Sequence, residues 1–124
     1  MKLKIITAEV KNYVPVHLKE EADKAGFETE IIDITKTLIV ETTNGSKIVH
    51  VKDNQMEVLE PPFACIPRLN EHHLLYKLNV LKQLELSGAF LLNSSASMEL
   101  CNDKLGSQVI LNAEKINTKI KHFW

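Results

Sequence analysis

A strand–helix–strand unit near the start of the chain constrains the fold more than any other feature. Residues 3–6 form a short apolar run that is typical of a buried strand. Helical spacing follows over residues 15–25, with Pro15 suited to a first turn and Gly26 to the position after the last. Residues 27–34 then predict a second strand. A unit of this order favours a right-handed crossover between two parallel strands.

The same alternation returns later, after an interruption. Residues 37–42 and 47–51 predict the arms of a β-hairpin, because Asn44-Gly45 between them readily supplies the positive φ angles of a tight turn. The remaining elements are predicted as an edge strand over 56–59, a strand over 63–66 that is stopped by Pro67, a helix over 71–86, a strand over 90–92, a short helix to about residue 100, and a last helix over 104–116. We therefore expect an open, mostly parallel α/β sheet with a β-hairpin insert and flanking helices.

Length, charge and cysteine content exclude several classes of protein. A chain of 124 residues with 44% apolar content permits one domain with a core of its own. The net charge of -1 argues against a nucleic-acid binder that works through a strong positive field. No apolar run approaches the roughly 18 residues of a membrane span. Cys65 and Cys101 form no C-x-x-C motif, so a reduced, cytoplasmic protein is predicted.

Several common site motifs are missing from the sequence. The glycines are Gly26, Gly45, Gly88 and Gly106. Their spacing allows neither G-x-G-x-x-G nor a P-loop, and there is no G-x-S-x-G nucleophile elbow. His72 and His73 are adjacent on a predicted helix, about 100° apart around its axis, so we predict no metal site. Both cysteines are interpreted as small buried hydrophobic residues.

Polar side chains follow two predicted strands, at the edge of a parallel sheet where ligands gather. Arg68 comes directly after Pro67, and its guanidinium can hold a carboxylate or a phosphate in a bidentate pair. Asn93, Ser94 and Ser95 follow the next strand and offer hydroxyls and helix N-terminal amides to an anion. The alternatives are a surface arginine on a loop and plain helix capping.

Lys104 is a third candidate. It lies in the first turn of the last predicted helix, after Asn102 or Asp103 as the cap, where the helix dipole favours an acidic residue. A local preference broken at a helix start can mark a binding role. The alternative is an ordinary exposed lysine, which is common in a first turn.

Four short motifs occur in a fixed order in the second half of the chain. They are Ile66-Pro67-Arg68, a helix that ends in Leu86-Ser87-Gly88, Asn93-Ser94, and Asp103-Lys104-Leu105. In this order they resemble the N-terminal domain of RimK-like ATP-grasp ligases, the family of ribosomal-protein glutamate ligases. Residues 1–34 and the hairpin also fit the opening of that family.

The resemblance implies a Rossmann-like pre-ATP-grasp domain that spans residues 1–124 and lines the substrate side of an active-site cleft. It also implies an enzyme that joins an amino acid, commonly glutamate, to an amine through an acyl-phosphate made with ATP and magnesium. By the same resemblance, Arg68, Asn93 and Ser94 face the carboxylate or amine substrate, and Lys104 approaches the nucleotide phosphates.

The same resemblance implies that the parts which hold magnesium and adenine lie in an ATP-grasp catalytic domain absent from residues 1–124. We therefore expect no catalytic residue, no cofactor and no ligase activity in this chain alone, with an ATP-grasp domain as its partner. The alternative is a stand-alone small-anion or protein-binding module that kept the fold. Such a module could dimerise through its apolar C-terminus, where Phe123 and Trp124 expose apolar surface unless they are packed.

A receiver-like protein fits less well. Receivers need clustered acidic residues after the first strand, and Thr7-Ala8-Glu9 offers one carboxylate.

Overall fold

In a computed structural model of the chain, the structure describes residues 1–116. In chain order, its elements are β1 (Lys2–Thr7), α1 (Tyr13–Lys24), β2 (Glu28–Asp33), a 3₁₀ turn (Ile34–Lys36), β3 (Thr37–Thr42), β4 (Gly45–Lys52), β5 (Gln55–Val58), β6 (Ala64–Arg68), α2 (Leu74–Leu86), β7 (Phe90–Leu91), α3 (Ser95–Asn102) and α4 (Lys104–Ala113). The predicted strand–helix–strand start is therefore confirmed. Pro15 lies in the first turn of α1, where its missing N–H breaks no helical bond.

Four strands form one parallel sheet in the order β2-β1-β6-β7. From the central strand β1, the chain crosses first to β2 on one side and later to β6 and β7 on the other. Because both crossovers of such a sheet are right-handed, α1 and α2 lie on opposite faces. The open, mostly parallel α/β sheet predicted from the sequence is thus confirmed.

The core lies against both faces of β1. Ile5 and Ile6 point to opposite faces of the sheet and expose 0% and 1% of their surface. On the α2 side, Leu81 and Leu84 pack into the cluster that contains Ile6. Because its strand residues are buried on both faces, this sheet forms the centre of the core.

The predicted hairpin is present and is extended by a third strand. β3, β4 and β5 form a separate antiparallel sheet, which we call the insert sheet. At the first turn only Gly45 has a positive φ, of 108°. The turn with two positive φ angles is the next one, at Asp53 (51°) and Asn54 (61°), which suits a two-residue hairpin loop.

Strand β6 does not stop at Pro67, so that prediction was wrong. The Cys65 carbonyl accepts a hydrogen bond from the Leu92 amide at 2.9 Å. Two residues further along, Pro67 faces the same neighbour, and its missing N–H ends the pairing with β7 there. Pairing with β1 continues to the register pair Thr7 and Arg68. Arg68 is therefore the last residue of a strand rather than part of a loop.

The buried face of α2 also differs from the prediction. The helix begins at Leu74 rather than at residue 71, after His73 in a left-handed conformation (φ 51°). The apolar spacing of this helix predicts a buried face that includes Leu75, but Leu75 is 69% exposed, while Lys77 is buried and donates to the Asn70 side chain. Leu78, Leu81 and Leu84 are buried as their spacing predicts. The buried face also takes in Lys77, because α2 packs against the insert sheet as well as the parallel sheet.

The last helix, α4, is shorter than predicted. It ends at Ala113, and Lys115 has a positive φ of 56°, which a right-handed helix does not allow. Of the two predicted cap candidates, Asn102 and Asp103, the cap is Asp103, whose carboxylate accepts the Gly106 N–H at 2.9 Å. Phe123 and Trp124 lie outside the described residues. In the part that is described, no helix is long and apolar enough to cross a membrane.

Candidate functional site

The carboxyl ends of β1 and β6 meet at the point where the strand order reverses. Thr7 and Arg68, the last residues of these strands, lie side by side in the parallel register. A cleft of about 520 Å³ opens directly above them. Such a switch point is where open α/β sheets bind ligands. The polar residues that line the cleft are Thr7, Glu9, Asn12, Tyr13, Arg68 and Asn93.

Arg68 is the only arginine in the chain, and the other fourteen basic side chains are lysines. Its side chain is exposed at the cleft. None of the ion pairs among residues 1–116 involves it. A planar guanidinium binds a carboxylate or phosphate through two parallel hydrogen bonds, which an ammonium group cannot do. The cleft therefore contains a guanidinium group that no ion pair of residues 1–116 occupies and whose chemistry suits an oxyanion.

The loop between β1 and α1 folds back over the end of its own strand. Thr7 is 2% exposed, and its hydroxyl accepts the Glu9 N–H at 3.1 Å. The Glu9 carbonyl in turn accepts the Asn12 N–H at 3.1 Å. These two bonds fix the backbone of the loop, so that Glu9 is held at the cleft by a buried side chain of the sheet.

The first turn of α1 forms another wall of the cleft. Asn12 is the N-cap residue, but its side chain makes no capping hydrogen bond. Tyr13 and Val14 follow at the cleft, and Pro15 has no N–H. Uncapped first-turn amides and the positive end of the helix dipole favour a negative group. This wall of the cleft therefore favours a negatively charged ligand group, as Arg68 does.

The structure separates the three polar residues that follow β7. Asn93 lines the cleft, whereas the Ser94 hydroxyl accepts the Ser97 N–H at 3.1 Å and caps α3. The Ser95 N–H and hydroxyl donate to the Glu85 carboxylate at 2.7 and 2.6 Å. The Ser94 and Ser95 groups are thus bonded within the chain, and of these three residues Asn93 lines the cleft.

Lys104 lies away from this group of residues. It is the first residue of α4 and is exposed, but it is not among the residues that line the cleft. Helix α4 packs on α3. A role for Lys104 toward nucleotide phosphates stays a prediction.

The cysteines and the other potential metal ligands do not form a second reactive site among the described residues. Burial raises the pKa of the Cys65 thiol to about 12, which leaves it un-ionised and unreactive. Cys101 is exposed, so its interpretation as a buried residue was wrong. Both are free thiols. Among the described residues, no three His, Cys, Asp or Glu side chains are grouped to hold a metal ion.

Four cleft residues escaped the sequence analysis as ligand-binding candidates. They are Thr7, Glu9, Asn12 and Tyr13, all in or next to the loop between β1 and α1. The strand-end rule that singled out Arg68 applies equally to β1, and it would have identified Thr7 and Glu9. To place Thr7 and Glu9 in the same cleft as Arg68, however, one must know that β1 lies beside β6, and only the sheet order shows that.

Fold and site together define an α/β domain with a ligand cleft at the switch point of a parallel sheet. The RimK PreATP-grasp domain family matches residues 1–98, and the chain belongs to that family. This range includes every residue that lines the cleft. The resemblance seen in the sequence motifs is thereby confirmed.

The alignments with related proteins cover nearly the whole chain. It is 31% identical over 123 residues to a "Probable alpha-L-glutamate ligase 1" of Hahella chejuensis, covering 99% of this chain and 39% of the relative. A "Probable alpha-L-glutamate ligase" of Hydrogenovibrio crunogenus is also 31% identical, over 99% of this chain and 40% of the relative. One from Methanococcoides burtonii is 28% identical over 97% and 38%. The chain thus spans about 40% of the length of these relatives.

Proposed function

We propose that this chain is the substrate-side N-terminal domain of an ATP-dependent carboxylate–amine ligase that uses glutamate. Family membership and the names of the relatives support a part in such a ligase. One observation of the structure carries the proposal further: the single arginine of the chain ends β6 in the switch-point cleft, with no carboxylate of the described residues paired to it. In this proposal a substrate carboxylate forms a bidentate ion pair with the Arg68 guanidinium.

In this proposal Arg68 binds the carboxylate, and Asn93 adds an amide group to the same cleft. The cap hydrogen bond of Ser94 positions the loop that carries Asn93, and Ser94 keeps one acceptor lone pair for a substrate donor. These groups orient a substrate. None of them is required to transfer a phosphoryl group.

ATP and magnesium belong, in this proposal, to an ATP-grasp domain outside residues 1–124. When bound there, ATP supplies the phosphoryl group that activates a carboxylate. No cluster in the described part fits a metal ion, and Lys104 by itself offers a nucleotide one screened contact. We therefore expect the chain alone to be inactive, with Lys104 reaching the phosphates in the complete ligase. The cytoplasmic location expected from the cysteines stays a prediction.

The proposal is tested by supplying the portion of a relative that residues 1–124 do not cover. The chain is fused to, or mixed with, the remaining portion of the Hahella chejuensis relative and incubated with ATP, magnesium and glutamate. ADP release and product mass are measured. We expect product when both parts are present and none from either part alone. No amino-acid-dependent ADP release from a folded fusion would contradict the proposal.

Arg68→Lys sharpens the same experiment. Loss of a bidentate, charge-assisted pair is expected to lower kcat/KM by about 10- to 100-fold. Because Arg68 is exposed and forms no ion pair in the described part, stability should change by less than about 0.5 kcal/mol. Lys47→Gln on the exposed insert sheet is the matched control and should leave activity unchanged. Wild-type activity in Arg68→Lys would remove this residue from the substrate site.

A second candidate is a stand-alone protein-binding module, and one surface favours it. On the outer face of the insert sheet, Leu38, Val49 and Val58 lie side by side across the three strands. Leu38 and Val58 are each about half exposed. Contiguous apolar surface marks association sites, and a second copy of the chain would cover it. Sedimentation that shows a monomer at every concentration would exclude this dimer.

A further inference from the structure

The cleft is lined by one acidic and one basic side chain, Glu9 and Arg68. Both are positioned by the same buried residue. Arg68 lies beside Thr7 in the sheet register, and the Thr7 hydroxyl accepts the backbone N–H of Glu9 at 3.1 Å. The backbones of two oppositely charged residues are therefore held near one strand end, although these residues are far apart in the chain.

These two charges do not neutralise each other. Among residues 1–116, no ion pair within 4.0 Å includes Glu9 or Arg68. Both side chains are exposed at the cleft, so each remains available to a ligand. Elsewhere the domain pairs its charges readily, as in Lys4–Glu30 at 3.1 Å and Lys82–Glu99 at 3.2 Å.

The arrangement suits a ligand that carries both charges itself. A simple anion such as phosphate is attracted by Arg68 but repelled by the Glu9 carboxylate. An α-amino acid presents a carboxylate and an ammonium group two bonds apart. Arg68 and the uncapped first turn of α1 provide the positive side, and Glu9 provides an acceptor for the ammonium group.

We propose that the cleft recognises the zwitterionic end of an α-amino acid, with Arg68 on the carboxylate and Glu9 on the ammonium group. This inference rests on the proposed function for the carboxylate and adds Glu9 as a residue that determines specificity. Glu9 selects substrates with a free α-amino group over those in which that group is acylated.

The test measures binding to the full 124-residue chain without any ligation. Two-dimensional ¹H–¹⁵N NMR spectra are followed as three probes are added separately: L-glutamate, N-acetyl-L-glutamate and inorganic phosphate. We expect L-glutamate to shift the amides of Thr7, Glu9 and Arg68 saturably. N-acetyl-L-glutamate lacks the ammonium group and should bind about tenfold more weakly, the loss of one charge-assisted hydrogen bond.

Glu9→Gln assigns that preference to one side chain. The variant should weaken L-glutamate binding about tenfold and leave N-acetyl-L-glutamate binding unchanged. Glu41→Gln, on the exposed β3 strand, is the matched control and should behave as the wild type. A dispersed spectrum for each variant shows that the chain remains folded.

Three results would overturn the inference. They are equal binding of L-glutamate and its N-acetyl derivative, an unchanged preference in Glu9→Gln, and the absence of any saturable shift at the highest soluble concentration. Tighter binding of phosphate at the same amides would show a simple anion site instead. If the fused protein ligates but shows no preference for a free α-amino group, the proposed function stands and this inference fails. If the preference is present but the fused protein does not ligate, the proposed function fails and this inference stands.

Discussion

The parallel sheet and the insert sheet bury their strands to different extents. In β1, Ile5, Ile6 and Thr7 each expose 2% or less of their surface. In β5 all four residues are exposed, and Met56 reaches 66%. A parallel sheet is covered by helices on both faces, whereas an antiparallel sheet can leave one face in water. The residues of the cleft are therefore carried by the better-buried sheet.

The insert sheet supports the domain through its inner face. Ile48 and Leu59 belong to the same core cluster as Ile6. Two side chains of α2 also bond to its backbone: the Tyr76 hydroxyl donates to the Thr37 carbonyl at 2.6 Å, and the Gln83 amide donates to the Ser46 carbonyl at 2.9 Å. The insert sheet therefore covers α2, while the candidate ligand-binding residues lie at the strand ends of the parallel sheet.

The largest expected effect comes from truncation in the core between the sheets. Leu81→Ala removes a side chain that is 0% exposed and should lower the free energy of unfolding by about 2–5 kcal/mol. Met56→Ala on β5 should cost less than about 0.5 kcal/mol, since its side chain lies mostly in water. Urea unfolding followed by circular dichroism measures both. Similar losses for the two variants would show that β5 is buried by something other than this chain.

An intermediate effect is expected at Glu85, which anchors the start of α3 beside the cleft. Glu85→Gln replaces the charged acceptor of the two Ser95 hydrogen bonds and should cost about 1–2 kcal/mol. Lys82→Gln breaks the exposed Lys82–Glu99 pair on the same two helices and should cost less than about 0.5 kcal/mol. Thermal unfolding compares the pair. Equal costs would mean that the Glu85 contacts are no stronger than a surface ion pair.

The smallest effect concerns the charges that link the two sheets. Glu30 of β2 bonds to Lys4 of β1 at 3.1 Å and to Lys52 of β4 at 3.3 Å. Partial burial raises the pKa of Glu30, but the hydrogen bonds and charges of Lys4 and Lys52 outweigh it and hold that pKa below its ordinary value.

Because the folded pKa of Glu30 is the lower one, its contribution to stability is present above the ordinary carboxyl pKa and is lost as the pH falls through the folded value. Its side chain is 43% exposed, so solvent screening should keep the contribution below about 1 kcal/mol. Urea unfolding between pH 7 and pH 3 should show a slightly smaller loss in Glu30→Gln than in the wild type. A steeper loss in the variant would reverse the assigned sign.

Much of the fold follows from local pattern. The alternation of strands and helices was predicted, and the caps of α3 and α4 were each predicted to within two or three neighbouring residues. The structure selects Ser94 and Asp103. Capping and periodicity depend on residues close together in sequence. The exposed Leu75 and the buried Lys77 were not predicted. Helix α2 packs between two sheets, and its buried face depends on where the insert sheet lies.

The candidate site divides in the same way. The sequence by itself determined that one arginine follows a buried apolar segment, and that the residues after the next strand are polar, since both depend on residue type and local order. Only the tertiary structure decided that Glu9 faces the same cleft as Arg68 and that Ser95 binds Glu85 rather than a ligand. The physical reason is the parallel pairing of β1 with β6, which makes neighbours of strand ends that are distant in the chain.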